Sequence, residues 1–248
     1  MTENRSKEFT FFDICDDYNE FIDECSDLNF FTRSKRLQKE ILPKIDEYIV
    51  KIKQYKNQAI KHNVEREANL LFHFQCMLRA LQSSLSVWIE IKDENYLDAW
   101  RYLVDAQEYK DIALKIEDHV GVRNLEDRLK KMEGTLFPPW GLYNSAGFSE
   151  SIGDCSICTT AFGKCDHIEN VIYLGRICRR VNRKFIKANH TAMVKNPRDR
   201  RCIITKISDD NGKMIDNFTL EISGDKNTVT DATLMEGIIL TTVVLDLD

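Results

Sequence analysis

Apolar residues in the first half of the chain recur at steps of three and four, the period of a helix with one buried face. From Ser34 to His62 they fall at Leu37, Ile41, Ile45, Ile49, Ile52 and Tyr55, with Pro43 near the start, where a missing N–H does least harm. Glu65 to Lys92 is more apolar, with Leu70, Phe74, Met77, Leu81, Leu85, Trp88 and Ile91 on one face, and reads as the central helix. Asn95 to Glu117 carries Ala99, Tyr102, Leu103, Ala106, Tyr109 and Ala113 in the same way. A shorter helix is expected from Asn124 to Met132, stopping at Gly134, and the acidic N-terminal segment is a candidate for one more. Together they predict a helical bundle over residues 1–135 with short connections. Helical spacing already accounts for the aromatic and Met positions as core, and His73, between Phe72 and Phe74, reads as a core or boundary histidine. No ExxH pairing supports a di-metal carboxylate bundle.

The period is lost between Gly134 and Gly153, where GTLFPPWGLYNSAGFSESIG rules out a continuous helix and marks a connector over residues 136–153. Its aromatic residues Phe137, Trp140, Tyr143 and Phe148 predict that it packs against something, unlike a polar linker. Further on the period turns toward two. Arg201 to Ser208, a turn at Asp210, Asn211 and Gly212, and Met214 to Ile222 read as a β-hairpin, with Gly237 to Leu247 as a last strand candidate. The expected class is α+β: an N-terminal helical bundle, a zinc-knuckle module over residues 154–190, and a small antiparallel β region over 191–248.

Composition changes this picture little, but charge changes it more. The 43% hydrophobic and 30% charged fractions are those of an ordinary soluble protein. The first thirty residues are rich in Asp and Glu, unlike a signal peptide, and apolar runs such as Ile238 to Leu245 are too short to cross a bilayer, so a cytoplasmic protein without a membrane partner is expected. The net charge of −5 hides an asymmetry: from Arg176 to Arg201 ten Lys or Arg residues face one acid, Asp199. Such a stripe on an acidic protein suits a polyanion or the protein's own acidic half.

Candidate chemistry is concentrated in one window, CSICTTAFGKCDHIENVIYLGRIC, which holds Cys155, Cys158, Cys165, His167 and Cys178. A CxxC knuckle followed by further Cys and His is the spacing of a tetrahedral structural Zn²⁺ site. Five candidates compete for four places. If residues 164–168 are extended, Cys165 and His167 face the same side and Cys178 is the spare. If a turn at Tyr173 and Gly175 delivers Cys178 from the start of a helix near Arg179, Cys165 is the spare. The four other cysteines, Cys15, Cys25, Cys76 and Cys202, are scattered and read as small buried hydrophobes. No phosphate loop, dinucleotide fingerprint or Ser/His/Asp pattern points to a small-molecule cofactor or hydrolytic triad.

The succession CxxC, CxH, YxGxxC, carried by Cys155, Cys158, Cys165, His167, Tyr173, Gly175 and Cys178 and followed by AMVKNPRDRRCIITKI, resembles zinc-knuckle proteins of bacteria and their phages or defence islands, over residues 136–222. That resemblance implies zinc binding and a bacterial or mobile-element setting. A helix over Arg179 to Ala188 is expected to align Arg180, Arg183, Lys184 and Lys187, beside Arg179, for contact with DNA or RNA phosphates, with Phe185 and Ile186 given to packing. The other reading of this stripe is docking on the acidic helical half. The bundle is expected to serve a protein partner or self-association, making the whole a non-enzymatic adaptor. An enzymatic alternative starts from Asp166-His167-Ile168, which resembles the core of HNH nucleases, with His167 as base and Asn182 and His190 as metal-site or orienting groups; the second CxxC usual in such domains is missing.

Overall fold

The computed structural model describes residues 10–30, 32–226, 232–241 and 245–247. Five helices come first: α1 (Phe11–Phe30), α2 (Lys35–Lys61), α3 (Glu65–Lys92), α4 (Tyr96–Ile116) and α5 (Val120–Leu136). Small antiparallel sheets follow, an α+β arrangement. A ribbon pairs β1 (Tyr143–Glu150) with β6 (Phe185–Val194), and two minimal pairs join β2 (Asp154–Cys155) to β5 (Arg180–Val181) and β3 (Ile172–Tyr173) to β4 (Arg176–Ile177). The fourth sheet has the order β10 (Met235–Gly237), β7 (Ile204–Ser208), β8 (Lys213–Asp216), β9 (Ile222–Lys226).

Helices α2, α3 and α4 form where the apolar stripes place them. Asn63 and Glu94, at φ 56° and 60°, reverse the chain between them. Helix α3 is central, packing against α1, α2 and α4, with Leu71, Phe72, Leu78, Leu81 and Leu85 fully buried. Pro43 lies inside α2, beyond its first turn. It leaves the Lys39 carbonyl without its helical donor, and both residues are exposed, so no buried polar group is orphaned. Helix α5 is a turn longer at its start than expected, because the His119 side chain caps it by accepting from Gly121 N, and it runs on through Gly134, whose surroundings are open. It stops just before Pro138 and Pro139. Among the described residues no helix is long and apolar enough to cross a membrane.

Part of the expected connector is strand β1, and its aromatic residues pack as anticipated: Phe137 and Tyr143 are buried, and Trp140 meets Trp100 and Phe218 edge-on. The helix expected over Arg179 to Ala188 is absent. Asn182 sits at φ 54°, a conformation that does not propagate a right-handed helix, and residues 185–194 spend their backbone hydrogen bonds on β1. The hairpin at Gly212 forms, with Ser208 opposite Met214. Of the strand expected over 237–247, Gly237 ends β10; residues 238–241 and 245–247 are not strand, and 242–244 lie outside the described residues. That tail is tethered to the bundle, with Lys53 and Arg79 paired to Asp246 and Leu247 buried.

The two halves share one core. Tyr143, Ile177, Ile203 and Leu247 join the buried cluster of the helices. Trp100 Nε1 donates to Arg200 O at 2.9 Å, and Arg201, 3% exposed, reaches Asp105, Glu108 and Asp199.

Candidate metal centre

The knuckle begins at β2. Cys155 N donates to Thr160 O and Thr159 N to Cys155 O, at 2.8 and 2.9 Å, and Thr159 takes φ 60° to close the loop. A short 3₁₀ turn, Phe162–Lys164, then delivers Cys165 in extended conformation (φ −118°, ψ 156°), so that Cys165 and His167 return to the same side. The donor atoms of Cys155, Cys158, Cys165 and His167 all lie within 4.8 Å of one another. Three soft thiolates and an imidazole suit a tetrahedral metal ion.

Local hydrogen bonds prepare these atoms. Burial raises the Cys155 thiol, but backbone amides of Cys158 and Ile157, with the neighbouring thiols, outweigh it and bring it down to about 7. The Thr160 backbone and hydroxyl hold Cys158 below its ordinary value, whereas burial pushes Cys165 up. His167 Nδ1 is buried without a hydrogen-bond partner, the behaviour of a nitrogen whose partner is a metal or its ligand set. Its ring stands edge-on to Tyr173 at 4.7 Å, and the Tyr173 hydroxyl accepts from Ile168 N at 3.0 Å.

Cys178 arrives from the other side. The β3–β4 hairpin turns at Leu174 and Gly175, φ 46° and 69°, and Gly175 N donates to Asn69 Oδ1 of α3 at 2.7 Å. Cys178 Sγ lies 3.7 Å from Cys155 Sγ, fully buried, and outside the group of four. Burial and then Cys155 push its thiol up to about 12. Ser156 locks the knuckle to this hairpin, its Oγ accepting from Arg179 N at 2.9 Å and donating to Ile177 O at 3.2 Å.

The basic residues divide. Arg180 pairs with Glu169 at 3.0 Å, Arg183 with Glu150 at 2.5 Å, and Arg200 with Glu133 of α5 at 2.5 Å. Arg201 docks on α4, so the stripe is in part bound to the acidic half. Arg179 is half-buried behind the knuckle, while Lys184 and Lys187 are exposed. Phe185 and Ile186, expected in packing, are 63% and 65% exposed, because β6 pairs with β1 alone and leaves them outside the core. Asn182 Nδ2 donates to Asp154, next to Cys155, at 3.0 Å, and His190 stands opposite Gly147 on the ribbon, outside the group of Cys155, Cys158, Cys165 and His167.

A residue pair the sequence reading missed is His73 with His119, whose Nε2 atoms are 3.0 Å apart. The capping position of His119 was its one sequence signal. Comparison with protein-family models, curated proteins and solved structures finds no match for the chain.

Proposed function

We propose that this chain is a zinc-stabilised, non-enzymatic binding protein. Cys155, Cys158, Cys165 and His167 hold one structural Zn²⁺, and Cys178 remains a thiol that donates to the Cys155 thiolate. The observation that carries this reading is the convergence of four ligand atoms within 4.8 Å on a loop-rich stretch with little core of its own. Four protein donors leave no coordination place for substrate, which favours a staple over a catalytic metal. The ion then fixes the knuckle, and through Ser156 the start of the basic segment, for an anionic partner such as DNA or RNA. The acidic bundle serves a protein partner or a second copy.

Elemental analysis of the purified protein tests the metal: one zinc per chain is expected. Cys158→Ser is expected to weaken zinc retention by at least about tenfold against a chelator, whereas Cys178→Ser keeps the stoichiometry and shifts affinity less. Cobalt substitution reports the donor set through its sulfur charge-transfer bands. A metal-free wild type, or loss of metal in Cys178→Ser with retention in Cys165→Ser, defeats the assignment.

A further inference from the structure

A cleft of about 820 Å³ opens between α4, the inward face of the β1–β6 ribbon and the strand that leaves the zinc knuckle. Glu108, Asp111 and Lys115 line its α4 side, and on the side of the ribbon and the knuckle strand Arg179, Arg180, Arg183 and Arg198 outnumber Glu150 and Glu169. At the mouth on that side, Phe148 and Phe185 lie 6.1 Å apart, and the Arg198 guanidinium sits 5.7 Å from the Phe148 ring centre. Arg183 and Arg198 share a single carboxylate, Glu150, at 2.5 and 3.8 Å, so the three groups keep a net positive charge. Lys184, beside Phe185 in sequence, is exposed.

An isolated exposed Phe needs no explanation. A Phe 63% exposed, paired with a second aromatic, flanked by cations and set at the lip of a cleft, is a stacking platform beside an anion-binding wall. From this juxtaposition we infer that the ribbon-side mouth of the cleft binds single-stranded nucleic acid, with bases against Phe185 and Phe148 and phosphates along Arg183, Lys184 and Arg198. The inference deepens the reading of the zinc module as a nucleic-acid-binding device and rests on it. A duplex keeps its bases stacked and paired within itself and cannot offer them to Phe185 and Phe148. An acidic peptide satisfies the cations but leaves the aromatic pair without a role.

The experiment is fluorescence anisotropy of a labelled thymidine oligonucleotide, about 15 nucleotides long, titrated with the full, zinc-assayed chain. Titrations run at about 50 and about 200 mM salt, with a duplex of the same length and polyglutamate as competitors. Binding that weakens at least about tenfold at the higher salt is expected. Phe185→Ala, an exposed position, is expected to weaken binding about tenfold at both salts, as loss of a stacked base requires. Lys184→Gln is expected to reduce the salt slope by about one. Both variants should keep the wild-type melting curve and zinc content. Absence of single-strand binding at low salt, equal affinity for Phe185→Ala, equal affinity for the duplex, or equally effective competition by polyglutamate overturns the inference. Zinc-loaded protein that fails these titrations sinks the cleft alone. Zinc-free protein that passes them sinks the metal assignment and keeps the cleft.

Discussion

His73 Nδ1 lies 3.0 Å from Ala113 O, which it can reach only as a donor, and His119 Nδ1 accepts from Gly121 N. These bonds fix the tautomers: His119 Nε2–H donates, and His73 Nε2 accepts, in the 3.0 Å contact between them. Protonating His73 removes that acceptor. Burial lowers the His73 pKa, and His119 adds to the effect, while the Ala113 carbonyl and Glu117 oppose it. An unfolded histidine titrates near 6.5, so the stability tied to neutral His73 is complete above about pH 6.5 and lost as pH falls toward the lower folded value. Between about pH 7 and about pH 5, denaturant midpoints should therefore fall less for His73→Gln than for wild type. Parallel pH dependence in the two proteins counts against this role of His73. The sequence shows His73 as a solitary histidine in an apolar stretch; its partner is 46 positions away in the chain and is brought to it by the packing of α5 beside α4.

At the scale of elements, the candidate metal site is joined through Ser156 to a hairpin that is itself bonded to α3. Gly175, at φ 69°, lies so close to α3 that an added Cβ would come within 2.7 Å of the Ala68 carbonyl oxygen. Both constraints act on one residue, and the backbone of α3 cannot yield cheaply. Gly175→Ala should cost about 1 to 3 kcal/mol in equilibrium unfolding. It should also raise amide exchange at Ile177 and Cys178 more than in α2; a uniform change across both regions would show that the turn does not anchor the knuckle. Legibility at this scale was uneven. Helices α2 to α4 were readable because each presents a long apolar stripe, and the Asn-Gly hairpin because its turn chemistry is local. The ribbon was not. Residues 179–188 place Arg180, Arg183, Lys184 and Lys187 in an order that fits a helical face, whereas residues 185–194 are extended against β1, some forty positions earlier.

For the whole molecule, the junction between halves is electrostatic as well as apolar. Arg201 is nearly sealed among Asp105, Glu108 and Asp199; burial works against its charge, but Glu108 and Asp105 outweigh it and hold the guanidinium well above its ordinary range. Burial raises Asp105 against its ordinary value, so the triad tolerates its acids only while the cation is present. Arg201→Met should cost about 3 to 5 kcal/mol, because three carboxylates are left facing one another, and Arg201→Met combined with Asp105→Leu should recover part of it. Urea unfolding of the two variants checks this; additive losses would mean that the pair is not coupled.

The sequence by itself determined the class of the fold, the central helix and the residues able to bind a metal, because helical periodicity and CxxC spacing are local properties of a chain. It left open which of five ligands converge, since Cys165 and Cys178 both fit by spacing. The tertiary structure brings Cys155, Cys158, Cys165 and His167 within 4.8 Å of one another, through the extended return at Cys165, and leaves Cys178 outside that group. It also sorted the basic stripe into docked arginines and an exposed aromatic lip, a division set by which strands and carboxylates lie opposite in space.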